Sequence, residues 1–528
     1  MNNAYPIDIN GIKSIGIEDW LLNYYVPVTG KEFYEIHNSV LHSYLSELKS
    51  CNDGIAYSIG IACLNIIPNG VSNFLTEIYG LLRLKERGCK YLVGDEKSGI
   101  SFNTSSLSFS RLDLINLAEK YITELNTRER IKNILRTLKY NLTTPYLLNK
   151  DCFKNVVDPH YFIGYRAQQE VVSFCKESAV APIHLSPMLF IRSQFKDLNL
   201  EPQLSQLIEF LNNFLLLVKE KYSIINESRF VFLRDTFEKA LKYILIIFKQ
   251  NLNVLIKHKP ARLLATGLGH PIHRLFCSAW RYSGGKVIGF AHGNAYSHSY
   301  MPNTIKFMPL VNEYVTSSQG HAEIVKQAAK DFFPDLEAPG VAYVKDEFYK
   351  NKFRQFENDL TVSKIKKVMV VGSVVKNFFA IDAEIHNFAS LYNDLQLIKL
   401  LKRKGYRVIY KPRLETINEI EGIFENYADL VLKERFEDVF KYADCLLFSI
   451  PYSTTFGFSL LTNKPIVLIN SQGYTWYPRV FELMKKRCSI VNATSVDGKT
   501  IFNENELIDS VESSINNVNY DILYEFAF

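Results

Sequence analysis

The chain has 528 residues, of which 47% are hydrophobic and 22% charged, with a mean hydropathy of −0.05. That length predicts two domains with full cores, and the balance excludes both a disordered chain and a polytopic membrane protein. The net charge of +6 and pI near 8.6 fit a solvated lysine-rich surface. With no basic tail, helix-turn-helix or RNA-recognition signature, nucleic acid is not an expected partner.

In chain order, the opening MNNAYPIDINGIKSIGIEDW lacks a basic stretch followed by an apolar run, so it does not read as a secretory signal and a cytoplasmic protein is expected. GIAYSIGIACLNIIPNG (54–70) reads as a strand and turn, and VSNFLTEIYGLLRLKERGCKYLVGDE (71–96) as a helix and a strand. Residues 105–260 are mostly helical in pattern, with a strand at APIHLS (181–186). The longest apolar runs, such as YILIIF (243–248), fall far short of the roughly 20 residues that cross a bilayer. The stretch FKQNLNVLIKHKPARLL (248–264) has the basic, apolar character of an interfacial segment, so peripheral contact with the inner face of the membrane is a further expectation.

From residue 261 the pattern changes to short β-rich runs separated by helices. ARLLAT (261–266), KVIGFA (286–291), NEYVTS (312–317), KVMVVGS (367–373), RVIYK (407–411), ADLVLKE (428–434), DCLLFSI (444–450), PIVLIN (465–470) and CSIVNA (488–493) read as buried strands. A helix over HNFASLYNDLQLIKLLKRKG (386–405) stops on basic residues and a glycine. Such alternation demands parallel sheets with helices on both faces. The prolines and charges of 330–360 interrupt it, which predicts an N-terminal α/β domain with a helical insertion (1–340) and a C-terminal Rossmann-like domain (341–528). The eight scattered cysteines form no CxxC pair and read as reduced thiols.

Ligands of such sheets bind beyond the carboxyl ends of the strands, so the loops there carry the candidate chemistry. The run ending at 291 is followed by His292, Gly293 and Asn294: a titratable ring, a residue without a Cβ, and an amide for a ligand. LLATGLGHPIHRLF (263–276) brings His270, His273 and Arg274 to a neighbouring strand end, so four of the chain's 11 histidines, with His298, fall between 270 and 298. Farther on, Lys411 and Arg413 flank a proline at a strand end, and Ser453, Thr454 and Thr455 stand where a helix begins, a combination suited to phosphate. No DxD-like pair occupies a strand end, so no metal or other cofactor is expected.

The His-Gly strand end, NEYVTSS, the basic-proline turn, ERFEDVFKYADCLLF and the Ser-Thr-Thr turn before NKPIVLI, over roughly 260–480, resemble GT-B glycosyltransferases of bacterial surface polysaccharide synthesis. The retaining β-Kdo transferases of capsule and O-antigen (lipopolysaccharide) assembly are the nearest likeness, the CDP-glycerol glycerophosphotransferases a more distant one. The resemblance implies two Rossmann-like domains facing across a cleft, a nucleotide-sugar donor, leaning to a CMP-linked ulosonic acid, and a glycan or lipid-linked acceptor. It implies that Lys411, Arg413, Ser453, Thr454 and Thr455 hold the nucleotide phosphate and that His292 faces the transferred group, with Gly293, Asn294 and Arg274 beside the substrate. Two departures stand out: Pro412-Arg413 replaces the family's usual His-Pro, and 266–274 contains no Asp or Glu where a carboxylate nucleophile is implied. Glu313, Asp235, Asp158 and Asp95 are the acids that another segment would have to supply; otherwise His270, His273 or His292 deprotonates the acceptor in one inverting displacement. The same cradle would suit transfer of a phosphoalcohol from a CDP-linked donor, and a chain without the acid would suit a silent glycan-binding protein.

Overall fold

The computed structural model describes residues 4–6, 9–89, 91–93, 160–164, 169–180, 182–185, 187, 200–258, 262–291, 306–334, 336–344, 347–356, 362–372, 381–449, 451, 453–471, 476–496 and 499–526. Strands β1 (Ala4–Pro6) and β2 (Tyr91–Val93) form a small parallel pair. Strands β3 (His160–Ile163), β4 (Ile183–His184), β5 (Arg262–Ala265), β6 (Lys286–Phe290), β7 (Glu313–Thr316) and β8 (Gly340–Tyr343) make an all-parallel sheet in the order β4-β3-β5-β6-β7-β8. A seven-stranded sheet follows, from β9 (Lys367–Val371), β10 (Arg407–Lys411), β11 (Leu430–Val431), β12 (Cys445–Phe448), β13 (Ile466–Ser471), β14 (Ser489–Val496) and β15 (Lys499–Phe502). Its order is β11-β10-β9-β12-β13-β14-β15, parallel except for β15.

Both large sheets are doubly wound. The chain enters each at an interior strand, winds to one side, then crosses to the other, so the order reverses between β3 and β5 and again between β9 and β12. Loops leaving the carboxyl ends part at such a reversal and open a crevice. The expected α/β class with parallel sheets is therefore the class observed.

Period-two alternation explains why the strands are apolar throughout. In the seven-stranded sheet Val368, Val370, Val408, Tyr410, Leu447 and Val467 turn to one core, while Met369, Val371, Ile409, Leu446, Phe448 and Leu468 turn to the other. In the six-stranded sheet Leu263, Ala265 and Val287 face a large helical core, and Leu264, Ile288 and Phe290 pack with Val171 and Cys175 of the helix Gln169–Glu177. Each such side chain, once buried, contributes about 1.5–3 kcal/mol, so neither sheet tolerates a polar substitution inside.

Residues 54–70, expected as strand and turn, are helical. Asp53 caps the helix Gly54–Cys63 by accepting from the Ala56 N–H at 2.8 Å, and Pro68 starts the next helix, Ile67–Glu86, after a short break. The segment is apolar on all sides because it is enclosed, with Ile59, Ala62 and Cys63 wholly buried, and an enclosed helix loses the stripe by which helices are recognised. No single described helix is long and apolar enough to cross a membrane; this bent pair passes together by composition, and its apolar residues form the core. The helix Glu227–His258 likewise buries Phe248, Leu252 and Leu255 and exposes Ile256, so the stretch expected at a membrane surface packs mainly inward.

The region 330–360 contributes β8, which pairs with β7, so the expected boundary at 340/341 falls inside a strand. Ile9, Ile12, Trp20 and Val28, near the start of the chain, pack in the core of the seven-stranded sheet. At the other end, the helix Asp521–Phe526 joins both halves. Ser318 Oγ donates to the Phe526 carbonyl at 2.7 Å, and Gly320 lies so close under the Glu525 carbonyl that a Cβ would collide with it. The same short helix is held to Pro478–Arg487 by a bidentate Arg479–Glu525 pair and by Lys486–Asp521 at 3.2 Å.

Candidate functional site

At the reversal of the six-stranded sheet, β3 ends on Gly164 and β5 leads into Thr266. Gly164 has φ +103°, and a Cβ there would run into the Thr266 carbonyl and hydroxyl. Only glycine allows the two strand ends to press together. The loop then turns through Gly267, with φ +65°, to His270, the N-cap residue of the helix Pro271–Tyr282. His270 makes no side-chain cap bond, so its exposed ring is available to solvent and ligand.

His273 lies one turn further on, its ring centroid 5.1 Å from that of His270. Burial first, and His270 second, lower its pKa to about 4, against an opposing pull from the Gly267 and Thr266 backbone. None of them completes a well-formed hydrogen bond to the buried Nδ1. Desolvation by the surrounding loop lowers His270 as well. Both imidazoles are therefore neutral at physiological pH. His270, the more exposed, is suited to accept a proton, and His273 to hydrogen-bond as a neutral ring.

Arg274, expected beside the substrate, is instead a buried clamp. Nε donates to the Ala62 carbonyl at 2.6 Å, and the terminal nitrogens donate to Ile61, Leu268 and Lys306 carbonyls at 3.2–3.3 Å. Its side chain is only 1% exposed, and burial pulls its pKa to about 10. With four carbonyls satisfied and no route to solvent, it fixes the loop that carries the histidines and does not itself meet a ligand.

Of the acids expected from other segments, the two that are described, Glu313 and Asp235, do not reach this edge. Glu313 opens β7, at the amino edge of a parallel sheet whose histidines stand at the carboxyl edge. Asp235 pairs with Arg234 on an exposed helix face. Asp95, Asp158, His292, Gly293, Asn294 and His298 lie outside the described residues. The acid that sequence reasoning missed is Glu170, 2% exposed, in the first turn of the helix that follows β3, next to β5. Recognising HYFI as a strand would have found it, since an acid opening the next helix then falls at the same reversal.

The seven-stranded edge is arranged differently. β10 and β12 flank β9, so the strand end bearing Lys411 and the strand end that leads toward the 453–455 turn are two strand spacings apart, about 10 Å, with the β9 end and Gly372 between them. Lys411 is buried and its Nζ donates to the Pro412 carbonyl at 2.5 Å. Ser453 Oγ accepts from the Phe456 N–H at 3.0 Å, which makes it the N-cap of a helix of only seven residues, Thr454–Leu460. Thr454 is exposed, and Thr455 and Arg413 are half-buried. Beneath them Asp394, wholly buried, accepts from Tyr410 Oη at 3.1 Å and Ser449 Oγ at 3.4 Å, and the Tyr410 hydroxyl fills the space a Cβ on Gly372 would need. Of the expected phosphate ligands, Arg413, Thr454 and Thr455 are the ones this arrangement leaves open to a ligand.

Among the described residues no three His, Cys, Asp or Glu side chains converge as metal ligands, and the seven described cysteines are free thiols. Compared with models of known protein families and with curated proteins, the chain matches none.

Proposed function

We propose that the protein is a metal-independent glycosyltransferase of GT-B type, moving a sugar from a nucleotide donor, leaning to a CMP-linked ulosonic acid, onto a surface glycan or lipid-linked acceptor in the cytoplasm. The observation that carries this reading is the pair of doubly wound sheets, one reversal bearing two adjacent neutral imidazoles, the other edge a guanidinium and helix-start hydroxyls. In this reading His270 takes the proton of the acceptor hydroxyl as its oxygen attacks the anomeric carbon, and the donor C–O bond breaks toward the nucleotide. Negative charge then grows on the leaving phosphate, where Arg413, Thr454 and Thr455 stabilise it. His273 hydrogen-bonds to substrate as a neutral ring and stays unprotonated.

The second reading is transfer of a phosphoalcohol from a CDP-linked donor: attack on phosphorus also needs a base and no carboxylate nucleophile, so the imidazole-only character of 266–274 suits it equally. The two readings part on the donor. Thermal-shift titration against CMP, CDP, UMP, UDP, GDP and ADP, followed by turnover with the matching donors, tests both. A nucleotide at 100 times its Kd stabilises by about 2.7 kcal/mol. Both reactions release CMP, so the donor decides: turnover of a CMP-sugar with transfer of the sugar supports the first reading, and turnover of a CDP-alcohol with transfer of the phosphoalcohol the second. No nucleotide binding at all would favour a silent glycan-binding protein.

A further inference from the structure

Beside the amino-terminal half of β14, at the end of the seven-stranded sheet away from Lys411 and the 453–455 turn, lies a cavity of about 460 Å³ that the proposed reaction does not use. That volume falls within the roughly 300–1,000 Å³ of small-ligand sites. Pairing with β13 covers one side of Ser489–Ala493, but β15 pairs with the other side only from Ala493 onward, so among the described strands nothing adds to 489–492 there. The helices Pro478–Arg487 and Glu504–Ser513, which pack on opposite faces of the sheet through Leu483 and Leu507, wall this gap. Asn517, in the short helix Ser514–Asn517, borders it at Ser489. The cavity thus wraps the open edge of a strand.

Its polar groups keep hydrogen-bonding capacity in hand. Ser489, 6% exposed, accepts at Oγ from Asn517 Nδ2 at 2.9 Å, which leaves its own proton to donate. Asn492 Oδ1 accepts from Asn470 Nδ2 at 3.1 Å, and the Asn492 amide N–H groups remain. Ser43, Ser72 and Ser459 donate to carbonyls of their own helices, whereas Ser510 and Ser513 make no such bond among the described residues and line the cavity with donor and acceptor both intact. Phe481 adds an apolar wall. Among the described lining residues only Lys485 is charged, and it is engaged by Glu482 at 2.8 Å and by the Phe481 ring.

These features select the ligand. Both walling helices end here, and the partial negative charge at their carboxyl ends disfavours an anion such as phosphate. A cation finds no carboxylate among the described lining residues. Groups that both give and take hydrogen bonds match a ligand hydroxyl, which does the same, and not a phosphate, which only accepts. An extended peptide added to the strand would be read by pockets for alternate side chains, and the open edge, 489–492, is only about 13 Å long. We propose that this cavity is a binding site for a neutral carbohydrate, a mono- or disaccharide unit of a glycan, remote from the carboxyl edges of both sheets. It needs no nucleotide and stands apart from the transfer reaction.

Saturation-transfer NMR on the full chain without nucleotide tests this, with maltose, cellobiose, lactose and chitobiose as probes and with inorganic phosphate and a tetrapeptide of alternating valine and threonine as competitors. At least one disaccharide should bind, neither competitor should displace it, and hydrogen exchange of the amides in 489–492 and 510–517 should slow in its presence. Changing Ser510→Val and Ser513→Val together removes two hydroxyls at the surface and should weaken that binding about ten-fold. Should the double variant fail to fold, Asn492→Ala, at an exposed position, takes its place with an expected loss of about five-fold. Absence of disaccharide binding, protection confined to other segments, unchanged affinity in the variant, or displacement by phosphate or peptide overturns the proposal. Because no donor is present, any of these results leaves the nucleotide reading to its own test.

Discussion

The two sheet edges are built on the same plan and differ in what their polar groups are doing. At the six-stranded edge the reactive side chains are left open: His270 caps nothing, and His273 Nδ1 lacks a partner. At the seven-stranded edge Ser453 holds its own helix, Lys411 its own turn, and Tyr410 and Ser449 the buried Asp394. The buried arginines are alike in both halves, for Arg487 donates to the carbonyls of Ser459, Leu460, Thr462 and Lys464 much as Arg274 does in the other sheet. Scaffolding is thus shared, and the two edges differ in how far their polar side chains are satisfied.

Acid should break the symmetry first. His37, His273 and His321 have pKa values lowered to about 3, 4 and 4 by burial, and all three belong to the six-stranded half. The unfolded chain takes up these protons near pH 6.5 and the folded chain does not, so their contribution is complete above pH 6.5 and is lost as pH falls toward 4. We expect several kcal/mol to disappear over that window, with exchange protection lost in the six-stranded half before the other; simultaneous loss would contradict the assignment.

The arginine clamps come next in size. Arg274→Leu and Arg487→Leu each strand four buried carbonyls, and about 3–5 kcal/mol should be missing from urea unfolding of either variant. Gly164→Ala meets a positive φ and the Thr266 backbone together, at a cost of about 3 kcal/mol, whereas Gly372→Ala meets a side-chain hydroxyl at Tyr410 that can tilt and costs less. Reversal of that order would show the first crevice to be the looser one. The smallest effect expected is Ser453→Ala, about 1 kcal/mol for a lost N-cap, measured by the same unfolding experiment.

Much of this architecture was legible in the sequence. The nine runs read as strands from 261 onward all correspond to strands, because parallel strands buried on both faces are continuous apolar runs bounded by turn residues. β1, β3, β8 and β15 were not read: β1 has three residues, β3 and β8 have four each, and β8 lies among prolines and charges that suggested a linker. The helix at 54–63 was misread because its all-round burial removes the periodicity. At the site, His270 and His273 were found by their density near one strand end, and the structure does bring them together. The role of Arg274 was not legible, since a guanidinium that clamps carbonyls and one that awaits a phosphate are the same residue in a sequence, and only distant partners at 61, 62, 268 and 306 tell them apart.

The most direct test of the division between the two edges is a split measurement of binding and turnover on His270→Asn and Arg413→Ala. The account predicts that His270→Asn keeps nucleotide affinity while losing about 10²–10⁴ in transfer rate, the usual range for a general base. Arg413→Ala is predicted to weaken nucleotide binding. Full turnover in His270→Asn, or loss of nucleotide binding there with none lost in Arg413→Ala, would contradict it.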